Sequence, residues 1–380
     1  MEPAKTKYHS WKMGSLPKGC RQCVQGKKTV LFITGICPRH CDYCPISDAK
    51  SGKDVVYANE WKTDKINELF EEVKLCGSEG AGITGGDPLC RLPRTVDYIK
   101  KLKKRFGKKF HIHLYTSMDL VTKNNMKQLY EAGLDEIRFH LDIDDDTLWG
   151  RMFFAKEFDW NVGVEIPVIP GKEKKTKELI DFIEGKVSFL NMNELELADT
   201  NASKLSELGF MSKDGISYGV KGAETLAKKL LKHCKSKRLN VHYCTAKLKD
   251  KVQLTKRIKR RAKNIAKEYD DITKEGMLIR GAVYTKQIYP SEGYSARLAK
   301  ISVFNRLKIM KRLKVFRTAL MRKHRIPAEL IGIDEPRLRL LTTGAVIEEL
   351  LDEIKKQGFQ PAVVEEYPTQ DALIVDLELL

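Results

Sequence analysis

Short apolar runs alternate with amphipathic helical patterns up to about residue 245. The runs have the length and residue types of buried strands, whereas the segments between them repeat apolar residues at helical spacing. The predicted strands are residues 29–34, 81–84, 110–116, 136–143, 161–168, 191–198 and 239–244, and the predicted helices are residues 63–75, 96–105, 124–132, 174–183 and 223–234. These βα units predict an α/β fold built as a complete or partial (β/α)6-type barrel, whose functional side chains lie at the carboxyl ends of the strands.

The pattern changes after residue 245. A basic helix is predicted over residues 247–267, a strand over 277–284 and a long basic helix with an apolar stripe over 296–323. A strand near 338–341, a helix at 345–356 and two strands at 361–366 and 372–377 follow. We therefore divide the chain into an N-terminal extension (1–27), a barrel core (28–245) and an α+β C-terminal domain (246–380).

Positive charge is concentrated in one block of the chain. The 380 residues include 69 Lys and Arg and 51 Asp and Glu, a formal net charge of +18. Residues 246–325 alone carry a net +18, whereas residues 1–245 carry +8 and residues 326–380 carry −8. A basic block of this size attracts polyanions, although an acidic protein partner or a solvated surface would also explain it. Candidate RNA-binding residues are Arg257, Lys259, Arg260 and Arg261.

Composition narrows the class of protein further. No stretch of about 18 uninterrupted apolar residues is present, and no apolar run follows the first charges, so we expect neither a membrane span nor a secretory signal. Nine cysteines in such a chain are better explained as metal ligands or thiols than as disulfides. We expect a cytoplasmic protein.

Three cysteines follow the first predicted strand, in the sequence Cys37-Pro-Arg-His-Cys41-Asp-Tyr-Cys44. Three thiolates in an eight-residue loop can hold a cubane iron–sulfur cluster. A fourth iron without a protein ligand leaves an open coordination position, as in catalytic metal sites. A zinc site would need a fourth local ligand, and the adjacent His40 is poorly spaced for that role.

This spacing after the first strand of a barrel resembles that of the radical S-adenosylmethionine (radical SAM) superfamily, in which an aromatic residue, here Tyr43, usually precedes the third cysteine. A second motif resembles the superfamily's Gly-Gly-Glu turn after the second strand. It reads Gly85-Gly86-Asp87-Pro88 here, with aspartate in place of the more usual glutamate. The resemblance implies that this turn takes part in holding the amino group of SAM.

The same resemblance implies the chemistry. Cys37, Cys41 and Cys44 would bind a [4Fe-4S] cluster, and SAM would chelate its open iron. One electron from a ferredoxin- or flavodoxin-type donor would cleave SAM to methionine and a 5′-deoxyadenosyl radical that abstracts hydrogen from substrate. The whole sequence also resembles a largely archaeal group described as relatives of the pyruvate formate-lyase activating enzyme, a description that identifies no substrate.

Strand alternation selects side chains that face the lumen. On the strand at 136–143, Arg138, His140 and Asp142 share the face opposite the apolar residues, and the same reasoning selects Ser117 and Glu165. We predict catalytic roles for Arg138, His140 and Glu165, with Arg138 able to hold a carboxylate or phosphate. By position, Ser117 and Asp142 resemble superfamily residues that contact SAM. His111 and Glu194 lie deeper along their strands and are expected to be neutralised by other lumen groups.

A second cysteine pair, Cys20 and Cys23, lies before the first strand. Cys-x2-Cys is a common half-site for zinc or an iron–sulfur cluster, and His242 and Cys244 could complete it. The alternative is a pair of free thiols.

Three functions follow from these patterns. The first is a radical SAM enzyme that modifies structured RNA, with tRNA as the expected partner of the basic block. The second is an activase or maturase acting on a peptide or small metabolite. The third is a cluster-bearing binding protein without turnover.

Overall fold

The computed structural model describes residues 1–215 and 217–380. They form two compact units, Met1–Arg257 and Ile258–Leu380. The boundary between the two units falls inside the helix at Thr255–Ile265, whereas the charge pattern of the sequence changes at about residue 245. The first 27 residues, expected to be a separate extension, belong to the first unit.

Eleven strands form one sheet in the described residues of the first unit. They are β1 (Ala4–Lys5), β2 (Trp11–Met13), β3 (Lys28–Phe32), β4 (Tyr57–Ala58), β5 (Trp61–Lys62), β6 (Gly80–Thr84), β7 (His111–Ser117), β8 (Glu136–His140), β9 (Asn161–Val168), β10 (Phe189–Glu194) and β11 (Asn240–Cys244). Seven of them run parallel in the order β3-β6-β7-β8-β9-β10-β11. The antiparallel strands β4 and β2 flank β3 and β11, so the parallel strands form an open, partial (β/α) barrel.

Eight helices begin in the described residues of the first unit, and all but the first and the last two connect parallel strands. They are α1 (Lys18–Cys23), α2 (Ile66–Leu75), α3 (Leu92–Phe106), α4 (Lys123–Ala132), α5 (Glu173–Ile183), α6 (Ala223–His233), α7 (Ala246–Leu248) and α8 (Thr255–Ile265), and the last of these crosses into the second unit. Short 3₁₀ helices lie at Pro88–Arg91, Trp149–Glu157 and Cys234–Ser236. The apolar face of the sheet, including Ile137, Phe139 and Leu141, is buried in the core under these helices, as the alternation predicts.

The N-terminal segment contributes to the barrel. Strand β2 pairs with β11, and α1 packs near the start of β3, β6 and β7. A Cβ atom on Gly19 of α1 would lie 2.5 Å from Arg138 Nη2 and 2.9 Å from Glu136 Oε1. Only glycine therefore lets this helix approach the polar lumen so closely.

The second unit is an antiparallel sheet covered by helices. Its strands are β12 (Asp271–Ile272), β13 (Leu278–Thr285), β14 (Ile331–Asp334), β15 (Arg339–Thr342), β16 (Phe359–Glu366) and β17 (Ile374–Leu379), and its further helices are α9 (Tyr294–Lys300), α10 (Val303–His324), α11 (Gly344–Glu349) and α12 (Leu351–Lys356). The strand order is β14-β15-β13-β16-β17, with β12 beside β13. Fully buried Arg339 is held by Asp334 and Glu366, each at 2.8 Å.

Three predicted helices are interrupted, and the one at 345–356 is divided at Leu350 into α11 and α12. The basic helix at 247–267 consists of α7, a π-helical segment at Lys249–Leu254 and α8. The helix at 296–323 is divided into α9 and α10, because Ser302 accepts the backbone N–H of Asn305 and so caps a new helix. None of the helices in the described part of the chain is long and apolar enough to cross a membrane.

Candidate active site

The cysteine loop opens onto a cavity at the carboxyl ends of the parallel strands. Cys37, Cys41 and Cys44 follow β3, are partly exposed, and line this cavity of about 920 Å³ together. The backbone N–H of Arg39 donates to Cys37 Sγ at 3.4 Å, and the N–H of Cys44 donates to the carbonyl of Cys41 at 3.0 Å. These bonds turn the loop so that all three thiols face one volume.

The donor set fits a cluster better than a single ion. In residues 1–215 and 217–380, no three His, Cys, Asp or Glu side chains are grouped so that they could hold one metal ion. A cubane does not need such convergence, because each thiolate binds a different iron. Without metal, burial raises the pKa of Cys37 to about 12, so binding iron must release a proton from this thiol.

The Gly-Gly turn lies directly against the cysteine loop. The N–H of Gly86 donates to the carbonyl of Thr34 at 2.7 Å, and the N–H of Asp87 donates to that of Ile36 at 2.9 Å. A Cβ atom on Gly86 would lie 2.4 Å from the Ile36 carbonyl oxygen and 2.9 Å from Cys37 Cβ. The glycine thus allows a contact that any other residue would prevent, and Gly85 and Gly86 both line the cavity.

Asp87 stabilises this turn from behind and is fully buried. Its carboxylate accepts hydrogen bonds from the N–H and hydroxyl of Ser117, at 2.9 and 2.7 Å, and from Thr116 and the N–H of Leu89. Burial raises its pKa despite these hydrogen bonds. Neither Asp87 nor Pro88 is among the residues that line the cavity, and their contact with SAM stays a prediction. Ser117 does line it, and its role stays a prediction.

Arg39, inside the three-cysteine spacing, ties the loop to the barrel. Its guanidinium is ion-paired with Asp142 and lies 3.5 Å from the His140 carbonyl. Asp142 is not among the cavity-lining residues and ion-pairs with Arg39 of the cysteine loop, and its contact with SAM stays a prediction. Sequence reasoning missed Arg39, although its position between Cys37 and Cys41 was the available signal.

His140 is held between two partners. Its Nδ1 lies 3.0 Å from the Glu165 carbonyl, which can only accept, so Nδ1 carries the proton. Nε2 therefore accepts the hydroxyl of Tyr43 at 2.8 Å. Burial, with the nearby charge of Arg39, lowers the His140 pKa to about 4. The imidazole is thus neutral and positions Tyr43, and the catalytic role of His140 stays a prediction.

Arg138 is at the centre of the polar lumen and is almost completely buried. Its guanidinium donates to Glu136 at 2.7 and 2.5 Å, to Glu165 at 2.8 Å and to the Tyr115 hydroxyl at 3.0 Å. The N–H groups of the guanidinium therefore already donate to carboxylates of the protein itself. The predicted bidentate hold on a substrate carboxylate or phosphate would have to compete with these carboxylates, and it stays a prediction.

Glu165 lines the cavity and presents a fixed carboxylate. Arg138 and Asn191 each donate to Oε2 at 2.8 Å, and Asn193 donates to Oε1 at 2.9 Å. Burial alone would raise its pKa, but the charge of Arg138 and these hydrogen bonds lower it. The group is ionised at neutral pH and can accept a hydrogen bond from a bound ligand.

Glu194 has its own ion pair, as expected for a group deeper in the lumen. Lys213 lies 2.7 Å from Oε1, and the N–H of Ala246 donates to Oε2 at 2.8 Å. His111 lies 2.9 Å from the ammonium of Lys28. Burial lowers the Lys28 pKa to about 7, so this pair avoids two full charges in the lumen.

In the part of the chain that the structure describes, the predicted auxiliary set is not grouped to hold a single metal ion, and an auxiliary cluster stays a prediction. Cys20 instead accepts weak hydrogen bonds from Asn191 at 3.3 Å and Arg138 at 3.5 Å. Cys23 lies at the end of α1, His242 contacts the hydroxyl of Ser10, and Cys244 packs with Val24 and Leu248. These residues build the lumen wall as thiols and a histidine.

The segment after β10 borders the cavity and contacts the cysteine loop. The N–H of Lys204 donates to the Asp42 carbonyl at 2.7 Å, and Asn201 donates to Asp48 through its N–H and amide, each at 2.9 Å. Lys204 and Asn201 both line the cavity. Sequence reasoning missed them because no motif marks a loop that meets the site only in the fold.

Two of the four candidate RNA-binding residues are buried, and the other two are partly exposed. Arg257 is buried and ion-paired with Glu60, with Nη1–Oε2 at 2.8 Å, and Arg261 is 2% exposed. Lys259 and Arg260 are partly exposed. The basic segment therefore places two of its four proposed RNA contacts inside the protein, because α8 packs one face against its surroundings.

A cysteine triad beside a Gly-Gly turn, at the carboxyl end of an open (β/α) barrel, defines a barrel enzyme of the iron–sulfur class. The model of the radical SAM superfamily matches residues 31–165. A protein of Methanocaldococcus jannaschii provisionally named a glycyl-radical enzyme activating enzyme is 38% identical over 383 residues, covering 97% of this chain and 94% of that protein. The chain belongs to the radical SAM superfamily, and its cofactors are a [4Fe-4S] cluster and SAM.

Other similarities are more limited. A GTP 3′,8-cyclase of Staphylococcus aureus is 37% identical over 123 residues, 31% of this chain and 35% of that protein. The structure of methylornithine synthase covers 58% of this chain and 70% of its own at 15% identity, with a TM-score of 0.39. A radical SAM methyltransferase from Kitasatospora setae covers 49% of this chain and 40% of its own at 11% identity, with a TM-score of 0.35. Residues 276–378 match a domain of unknown function.

Proposed function

We propose that this chain is a radical SAM activase that abstracts a hydrogen atom from a glycyl residue of a protein substrate. The observation that carries the proposal is the full-length similarity to the Methanocaldococcus jannaschii protein, which extends over the second unit as well as the barrel. The single cavity shared by the three thiols and the Gly-Gly turn supports it, because cofactor and substrate must meet in one place.

Residues of this chain would bind and orient the cofactors. Cys37, Cys41 and Cys44 would hold the cluster, which with SAM and one electron from a ferredoxin- or flavodoxin-type donor supplies the 5′-deoxyadenosyl radical. The Gly85–Gly86 turn and the carboxylate of Glu165 would orient SAM and the substrate backbone by hydrogen bonding. Hydrogen transfer from the glycyl Cα to the 5′ carbon would leave 5′-deoxyadenosine and a glycyl radical, so atoms and electrons balance.

The test is anaerobic reconstitution with iron, sulfide, SAM and a strong reductant. We expect 5′-deoxyadenosine and methionine by chromatography, and a glycyl-radical signal by electron paramagnetic resonance when a glycyl-radical acceptor protein is added. Cys41→Ala should abolish both the cluster absorption and SAM cleavage. Cys90→Ala is the matched control, because Cys90 is a partly exposed cysteine near the turn that is outside the triad. Cys41→Ala with full cleavage would contradict the ligand assignment.

RNA modification is a second candidate, favoured by the net +18 of residues 246–325. The burial of Arg257 and Arg261 weakens it. It predicts tRNA binding whose affinity falls steeply between 50 and 200 mM salt and with the double change Lys259→Glu and Arg260→Glu. Absent or salt-independent binding would eliminate this candidate. A protein that binds the cluster and SAM but forms no 5′-deoxyadenosine would instead support a binding role without turnover.

A further inference from the structure

Helix α10 has apolar side chains on two faces. Ile309, Leu313, Phe316 and Leu320 are buried in the core of the second unit. On the outer face Val303, Phe304, Leu307 and Val315 are exposed by 64–75%. An exposed apolar patch rimmed by charge marks an interaction surface.

The outer face of α10 is also strongly basic. The helix carries eight Lys and Arg residues and no acidic residue. Three of its arginines donate to carbonyl groups within their own unit, for instance Arg306 to Pro336 at 2.7 Å and Arg317 to Ile331 at 2.9 Å. Lys308 and Lys311 are exposed and form no ion pair with any described residue. The face therefore offers an apolar stripe flanked by free positive charge, along a shallow groove of about 660 Å³.

A surface of opposite charge and similar apolar character lies on β17, at the edge of the same unit's sheet. Leu373, Val375 and Leu379 are exposed by 44–59%. Asp376 and Glu378 are exposed between them, with no ion pair among the described residues. β17 is the last strand of its sheet in the described residues, so its exposed side chains are available for contact.

We propose that α10 of one molecule docks on β17 of a second copy of this chain. Both surfaces belong to one sequence, each has the apolar stripe that the other needs, and their free charges are opposite in sign. A two-fold arrangement makes the contact twice, once in each direction, and so closes the assembly as a dimer. RNA would satisfy the lysines but would leave the aliphatic side chains in water. This association is independent of the proposed activity.

The experiment is sedimentation of the full-length protein from about 1 to 100 µM, at low and high salt. We expect a dimer that weakens with salt, and Phe304→Glu should raise its dissociation constant by about 30-fold or more. The charge reversals Lys308→Glu with Lys311→Glu, and Asp376→Lys with Glu378→Lys, should each weaken the homodimer. Lys100→Glu, an exposed lysine of α3, is the matched control and should have no effect.

Mixing the two charge-reversed proteins gives the decisive result. In the mixed dimer both α10–β17 contacts regain opposite charges, whereas each homodimer has two repulsive contacts. Dimer that reappears only on mixing supports the proposal. A monomer at every concentration, a dimer insensitive to these variants or a mixture that stays monomeric would overturn it. Monomeric wild-type protein that binds tRNA or anionic vesicles through Lys308 and Lys311 would also overturn it.

Discussion

Replacing Arg138 by methionine tests whether this arginine holds the lumen together. Met preserves much of the apolar stem but removes the guanidinium that bonds Glu136, Glu165 and Tyr115. Glu136 is completely buried and has no Lys or Arg partner besides Arg138 within 4.0 Å among the described residues. The substitution would therefore leave a buried carboxylate without its compensating charge.

The expected loss is about 3–5 kcal/mol, the usual cost of breaking a buried pair by removing one partner. Glu136→Gln combined with Arg138→Met removes both charges of the inner pair. We expect the double variant to be destabilised by less than the sum of the single changes, because the uncompensated charge is gone.

Urea unfolding of the cluster-free protein, followed by tryptophan fluorescence and circular dichroism, measures these free energies. The same proteins should be reconstituted to compare SAM cleavage. A loss below about 1 kcal/mol with abolished SAM cleavage would refute the structural assignment and restore Arg138 as a catalytic residue. Strict additivity in the double variant would refute the coupling.

Three further predictions follow from the site. Gly86→Ala should prevent SAM binding and lower cluster content, because the new methyl would lie 2.4 Å from the Ile36 carbonyl oxygen. Iron analysis measures the cluster content and calorimetry measures SAM binding, and wild-type values of both would contradict this prediction. Arg39→Ala should change the cluster's electron paramagnetic resonance signal and raise the KM for SAM, because it removes the ion pair between the cysteine loop and Asp142. Asp142→Asn should have the same effects to a smaller extent. Unchanged spectra would show that this ion pair does not position the loop. Burial lowers the pKa of His242 to about 4 in the folded protein. Between about pH 6.5 and 4 the unfolded chain therefore binds one more proton at this residue than the folded chain does, so the free energy of unfolding falls as the pH falls. His242→Phe should flatten that pH dependence by up to about 1.4 kcal/mol per pH unit in urea unfolding of the cluster-free protein, and an unchanged slope would contradict it.

Local patterns were sufficient for the parallel strands and for the cysteine loop. The strand predicted at residues 161–168 is β9 without change, because its apolar run is bounded by turn residues. The strand predicted at 191–198 instead begins at Phe189 and ends at Glu194, since the chain leaves the sheet to border the cavity. Strands β2 and β4 were missed because pairing with β11 and β3, not residue preference, makes them strands.

The sequence by itself determined the α/β class and the polar side of each lumen strand, and it predicted Cys37, Cys41 and Cys44 as the cluster ligands, because spacing and alternation are local properties. Tertiary structure alone decided which polar groups are available. It paired Arg138 with Glu136, Asp142 with Arg39 and Arg257 with Glu60, so each of these three predicted ligand contacts would compete with an ion pair inside the protein. A buried charged side chain needs a partner of opposite charge. For Asp142 and Arg257 that partner lies about a hundred residues or more away in the sequence. Long-range pairing of this kind has no signature in a single sequence.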